Sequence, residues 1–205
     1  MKRRLITAMI GQFHHPHGAG GHLAGWIMAH RASNRRRSQW TVTLLDVQPT
    51  DHILGIGFGP GLAIAHLSRH ATHGKIYGID HSAVMLRHAT RRNAAAIRAH
   101  RVTLQQATVE HPPAYEQPLD AILTINTLGM WPHPTQRLAD LRTLLKPGGR
   151  IAITSQPRTP HATAATSAQA ARDITRHLTQ AGYTHPRVET LHLTPPAVCV
   201  LATRP

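Results

Sequence analysis

The sequence predicts an α/β fold built on a mostly parallel sheet, and three observations carry that prediction. From residue 51 onward, short β-like runs alternate with longer runs of helical spacing. Aliphatic side chains dominate a hydrophobic fraction of 41%, with aromatics at only 4%, so the core must be filled by Val, Ile and Leu strands under Ala- and Leu-rich helices. Repeated strand, helix, strand units in turn imply right-handed crossovers between parallel strands. At 205 residues the chain has room for one ordinary domain. Residues 1–205 are therefore read as a single domain, with 1–50 a helical cap and 51–205 the core.

Each element has a local reason. The first 50 residues contain GAGGHLAGWIMAHRASNRRRSQWTVTLLDV, which reads as two short helices, too small to fold alone and placed as a cap on the sheet's carboxyl edge. DHILGIG (51–57) is a strand ending in glycines, and LAIAHLSRHA follows with helical spacing at Leu62, Ala65, His66 and Leu67. KIYGID (75–80) is the second strand. SAVMLRHATRRNAAAIRAH (82–100) is a crossover helix with Ser82 as N-cap and Val84, Met85, His88 and Ala89 on one face. RVTLQQA (101–107) is a strand, and LDAILTINTL (119–128) is apolar enough to be a central strand buried on both faces. The helix PTQRLADLRTLLK closes at Pro147-Gly148-Gly149, and RIAITS is a strand. A Pro-rich loop, an Ala-rich helix to Gly182 and strands near 185–193 and 196–203 complete the chain.

Composition narrows the function. The 23 Lys+Arg against 9 Asp+Glu give a formal charge of +14, a balance suited to phosphates, anionic lipids or acidic small molecules. The chain has three Glu, so a two-carboxylate hydrolase mechanism has almost no candidates. Its one cysteine, Cys199, lies in the apolar run AVCVLAT and reads as core, which leaves neither a disulfide framework nor a cysteine zinc site. LITAMI is shorter than a secretory h-region and no apolar run approaches the length of a membrane span, so a soluble, cytoplasmic protein is expected.

The strongest signal is Gly55-Ile56-Gly57-Phe58-Gly59-Pro60-Gly61 between a strand and a helix. Glycines there allow positive φ and close approach of a ligand to the backbone. Every register of G-x-G-x-x-G fails, and Pro60 removes an N–H that a pyrophosphate at a helix N-terminus would need. Asp80 follows Gly61 by nineteen positions at the end of IYGID, where a carboxylate can accept from both ribose hydroxyls of a nucleoside. A glycine loop poor in phosphate donors together with a ribose acid suggests S-adenosylmethionine.

GIGFGPG, IYGIDHSAVM, LDAILTIN and LKPGGRIAIT together resemble the successive motifs of the class I S-adenosylmethionine-dependent methyltransferases. The resemblance implies a three-layer, doubly wound, Rossmann-like fold with a seven-stranded sheet whose last strand is antiparallel. It also implies roles for particular residues. Gly57, Gly59 and Gly61, with Phe58 among them, match the loop lining the cofactor's methionine part, and Asp80 the ribose acid. His81 and Met85 match the residues flanking adenine, and Ala107 and Thr108 the adenine-edge loop, where the family more often has an acid and this chain has none. Asn126 falls where the methionine end meets the substrate. Gly55 stands where the family usually carries Glu or Asp, which would help hold the α-ammonium; Gln12, Asn34 and Asn126 are candidate substitutes.

The acceptor is less legible, because methyl transfer needs alignment and exclusion of water but no protein nucleophile. Phe13, in a loop hinged by Gly18, Gly20 and Gly21, is expected to cover the cofactor as part of a lid. His14, His15, His17 and His22 are close in sequence but lack carboxylate or thiolate companions, so no metal site is expected. Arg35, Arg36 and Arg37 form a basic cluster that reads either as a solvated face or as a site for an anionic substrate or lipid headgroup. Trp131 follows the fourth strand and is expected to wall an acceptor pocket, with His133 as the candidate proton acceptor. The leading expectation is methylation of a small molecule at N or O, with anionic acceptors among the candidates. The alternatives are a methyltransferase for RNA or a phospholipid headgroup, and a non-catalytic S-adenosylmethionine-binding regulator.

Overall fold

The computed structural model describes residues 32–159 and 161–205. The expectations placed on Gln12, Phe13, the glycine hinges, the N-terminal histidines and the first cap helix lie outside these residues. The elements in order are α1 (Ala32–Leu45), β1 (His52–Ile56), α2 (Leu62–His70), β2 (Lys75–Asp80), α3 (Ala83–Arg92), α4 (Ala94–Arg98) and β3 (Val102–Gln106). Then come β4 (Leu119–Ile125), a single 3-10 turn (Leu128–Met130), α5 (Pro134–Leu144), β5 (Leu145–Ser155), α6 (Ala164–Gln180), β6 (Thr184–Leu191) and β7 (Ala197–Thr203).

The strands form one sheet in the order β3-β2-β1-β4-β5-β7-β6. Only β7 runs against its neighbours, pairing antiparallel with both β5 and β6. Alternation along each strand sends successive side chains to opposite faces. Ile53, Ala121, Leu123, Ala152 and Cys199 join one core cluster with Val42, Ile64, Leu67 and Met85, the layer of α1, α2 and α3. Leu54, Ile122, Ile151, Ile153 and Val200 join the other with Leu138, Leu141, Ile174 and Leu178, the layer of α5 and α6. Near-continuous apolar strands are thus the requirement of a sheet covered twice, and each fully buried Ile or Leu contributes about 1.5–3 kcal/mol.

Several elements depart from the sequence expectation for local reasons. Ser82 does cap α3, its hydroxyl accepting from Met85 N at 3.4 Å. The crossover helix nevertheless breaks at Asn93, whose Nδ2 donates to Ala89 O at 2.8 Å and to Gly61 O at 3.2 Å, so one side chain ties the helix break to the glycine loop. β5 begins at Leu145 rather than after Gly149; Leu119 pairs with Leu145 and Ala121 with Arg150, and the Pro-Gly-Gly segment is absorbed between them as an irregularity. α1 does not cap the carboxyl edge along its length. It packs across β4, β5 and β7 beside α2, with Val42 and Leu45 buried and Thr41 Oγ1 within 2.7 Å of Thr154 Oγ1. Only its first turns reach the carboxyl edge.

Gly55 has a packing role. A Cβ built on it lies 2.8 Å from Ile64 Cδ1, so the missing side chain is the space into which α2 settles on β1. Gly55→Asp, which would introduce the acid that the resemblance implies here, is therefore expected to lower stability by about 1–3 kcal/mol through crowding and burial of a carboxylate. Urea denaturation of the variant beside the wild type measures this, and an unchanged midpoint would contradict the packing role.

Candidate active site

The loop between β1 and α2 is shaped by backbone torsions and then by hydrogen bonds. Gly57, Gly59 and Gly61 have φ of 64°, 52° and 80°, values that L side chains adopt at a cost. Gly57 N donates to Ile79 O at 2.8 Å, Gly61 N to Phe58 O at 3.0 Å and Gly59 N to Asp80 Oδ2 at 2.8 Å. Pro60 has no N–H, and its carbonyl accepts from Arg92 Nε at 2.8 Å. The amides of Gly57, Gly59 and Gly61 are thus already committed inside the protein, which leaves the loop without the cluster of free donors that binds a diphosphate.

Asp80 ends β2 and is 5% exposed. Its second oxygen, Oδ1, accepts from Ser82 N at 2.9 Å, and His81 Nδ1 lies 3.7 Å from it. Burial pushes the carboxyl above its ordinary range, while the Ser82 and Gly59 amides and the neighbouring imidazole oppose that rise. Each oxygen accepts one backbone bond and keeps further acceptor capacity, so the held carboxylate can take a pair of hydroxyls. This fits the ribose of an adenosyl cofactor.

A cavity of about 770 Å³ lies over the carboxyl ends of β1, β2, β3 and β4, with Arg158 reaching it from the loop after β5, and is large enough for such a cofactor and a small partner. Gly55, Gly57, Phe58, Gly59, Asp80, His81, Met85, Ala107, Thr108, Asn126 and Trp131 all line it, gathered from six separate stretches of chain. Gly61 does not. It turns the chain from loop to helix, and a Cβ there would stand 2.6 Å from Asn93 Nδ2 and 2.8 Å from Ala89 Cβ. His133 is also outside the lining: it sits exposed between Pro132 and Pro134 at the start of α5, with left-handed φ of 49°, so the role of proton acceptor does not carry to it.

The loop after β3, which the resemblance makes the adenine edge and where no acid was expected, has Glu110 on the cavity wall two residues beyond Thr108. Slight burial would raise its carboxyl, but the Thr108 hydroxyl, its own backbone amide, Arg137 and His111 hold it below the ordinary range. Neither described candidate replaces the carboxylate missing at Gly55. Asn126 uses its amide to clamp the end of β5, Oδ1 accepting from Gln156 N at 2.7 Å and Nδ2 donating to Gln156 O at 3.3 Å. Asn34 Oδ1 accepts from Arg37 Nη2 at 2.7 Å and from Arg158 Nη2 at 2.6 Å, which fills its two lone pairs. The basic cluster is divided by the turn of α1: Arg35 and Arg36 are exposed, and Arg37 is buried against the cavity with Ser38. Arg158, on the loop after β5, carried no sequence signal, because only the tertiary fold brings that loop to α1.

Among the described residues no three His, Cys, Asp or Glu side chains gather as metal ligands, and no helix is long and apolar enough to cross a membrane.

Comparison with known proteins agrees with this geometry. Residues 53–149 match a family model described as a methyltransferase domain. The chain is 31% identical to the uncharacterized methyltransferase YdaC of Bacillus subtilis over 184 residues, covering 89% of this chain and 98% of that protein. Its fold is similar to the crystal structure of a SAM-dependent methyltransferase from Aquifex aeolicus, with a TM-score of 0.67, 19% identity, and coverage of 82% of this chain and 89% of the other. It is likewise similar to the N-methyltransferase NodS of Bradyrhizobium japonicum, solved in complex with S-adenosyl-L-homocysteine, with a TM-score of 0.65, 16% identity, and coverage of 88% and 91%. With the buried carboxylate of Asp80, the amide-poor glycine loop and the sheet order beside these matches, the chain belongs to the class I S-adenosylmethionine-dependent methyltransferases.

Proposed function

We propose that the acceptor of this methyltransferase is a small molecule, bound over the carboxyl ends of β4 and β5 against Trp131. The observation that carries this reading is the cavity itself. Asp80 and Met85 stand on its β2 side, and Met130, Trp131 and Pro132 line the same enclosure beyond β4. The bound cofactor would supply a sulfonium methyl group that is already activated for displacement. The protein's part is to bind, orient and keep water away.

Asp80 would hold the ribose, and the Gly57–Gly59 backbone lets the ligand lie close to β1. Among the described residues, the groups on the wall able to accept a proton are Asp80, His81 and Glu110, all following β2 or β3. The β4 and β5 side presents Asn126, Trp131 and Arg158 instead. Positioning, rather than proton removal by an imidazole, is thus the chemistry that this side supports.

The strong positive charge does not by itself favour a polyanion. Arg92 and Arg101 donate to the Pro60 and Ser68 carbonyls, Arg150 pairs with Asp51, and Arg204 donates to Leu145 O, so many guanidiniums are spent on the fold. A cytoplasmic location belongs to the same reading, supported by the absence of a membrane-spanning helix among the described residues.

Calorimetry with S-adenosylmethionine and S-adenosylhomocysteine tests the proposal first, and saturable binding of both is expected. Methyl transfer to a small acceptor should then vary little with salt, whereas a steep fall with salt would point to RNA or a lipid headgroup. Binding without transfer to any acceptor would leave a regulator. Asp80→Ala is expected to weaken S-adenosylhomocysteine binding by about 1–3 kcal/mol, because two hydroxyls lose their acceptor; an equal dissociation constant would refute the ribose assignment. The ionised carboxylate is the form that accepts both hydroxyls, and burial raises its pKa. Affinity should therefore hold near neutral pH and decline on acidification from above the ordinary carboxylate range, a decline that titrations of Asp80→Asn should not show.

A further inference from the structure

The end of β5 carries a cluster that methyl transfer as such does not require. Arg37 is 4% exposed and lines the cavity. Its Nη1 donates to Gln156 Oε1 and its Nη2 to Asn34 Oδ1, and both acceptors are neutral amides. Its Nε is buried with no hydrogen-bond partner among the described residues. Among the described residues no carboxylate forms an ion pair with it. Burial, and then the nearby charge of Arg158, bring its pKa down to about 9. A desolvated cation without a counter-ion is costly, and a fold holds one in place only with strong local support.

That support is visible. Gln156 is fixed at three points, by the Asn126 clamp on its backbone and by its Nε2, which donates to Pro195 O at 2.8 Å. Its Oε1 is thereby aimed at Arg37. Asn34 gathers Arg37 and Arg158 on one oxygen, so two like charges from elements 121 positions apart are drawn to one stretch of wall. Like charges brought together by neutral acceptors make a local field that attracts an anion.

Its place in the sheet indicates whose anion. β5 stands three strands from β2, so the cluster lies on the order of 14 Å across the sheet from the strand that presents Asp80. That is the acceptor side of the cavity, where the wall also offers Met130, 43% exposed, and Trp131.

We propose that Arg37 and Arg158 form an anion subsite for the acceptor, which is an amphipathic organic acid: its carboxylate meets the two guanidiniums and its apolar body rests against Met130 and Trp131. The inference rests on the small-molecule reading above. Arg37 is the buried anchor, and Arg158 the exposed member that admits the ligand.

The test uses the full chain saturated with S-adenosylhomocysteine, titrated calorimetrically with matched acids and amides: 4-phenylbutyrate against 4-phenylbutanamide, and octanoate against octanamide. The acids are expected to bind at least tenfold tighter than their amides. Arg158→Gln should cut that preference below threefold while leaving the S-adenosylhomocysteine dissociation constant within threefold of wild type. Arg37→Gln should do the same where circular dichroism shows it folded, and the exposed position of Arg158 keeps the test open where it does not. Acids and amides that bind alike, or not at all, to the loaded protein overturn the subsite and leave the methyltransferase reading standing. A tenfold loss of S-adenosylhomocysteine affinity in Arg158→Gln, with 5′-methylthioadenosine unaffected, also overturns it, by giving the pair to the cofactor's own carboxylate. Failure of S-adenosylhomocysteine to bind the wild type overturns the underlying reading itself.

Discussion

The hydrogen bond from Gly59 N to Asp80 Oδ2 joins the loop after β1 to the end of β2, and the site is organised around it. It uses the amide that a phosphate would otherwise take, so the ligand class follows from where one proton points. It also fixes the carboxylate, together with Ser82 N, before any ligand arrives. The carboxylate is buried and its ionised form is disfavoured by burial, so the two amides are what make a charge tolerable there. Without positive φ at the loop glycines the chain could not bring Gly59 to it.

The same region shows how packing and binding compete for space. Gly55 and Gly78 leave the α2 face of the sheet bare, and Ile64 fills the gap, 2.8 Å from a Cβ on the first and 3.3 Å from one on the second. Here that volume belongs to the core, and the nearby amides of Asn34 and Asn126 are occupied by guanidiniums and by the β5 backbone. The cavity thus has Arg37 and Arg158 beyond β4, where the resemblance led to the expectation of a carboxylate.

Charge in this protein is best understood one residue at a time. The total of +14 describes a composition. Arg101 and Arg204 cap backbone carbonyls, Arg150 anchors Asp51, and Arg92 braces the glycine loop through Pro60. Arg37 is unlike these, since it is buried against a cavity between neutral partners. What a guanidinium does depends on which groups the fold sets beside it.

The alternation of strands and helices, the bend after β1 and the acid Asp80 that follows it, and through them the cofactor and the family, are legible in the order of residues alone. These are local patterns: near-continuous apolar runs buried on both faces, glycines where φ must be positive, and an acid at a strand end are each read within a few residues. Tertiary structure alone decided that α1 lies on the sheet face, that the crossover helix breaks at Asn93 to hold Gly61, that His133 turns outward, and that Arg158 meets Arg37. Apart from His133, each of these depends on a contact between residues distant in sequence, and no periodicity records which two distant segments will share a wall. The β1 and β2 side of the cavity is built from backbone and motif, whereas the wall beyond β4 is built from side chains that only the closed sheet brings together.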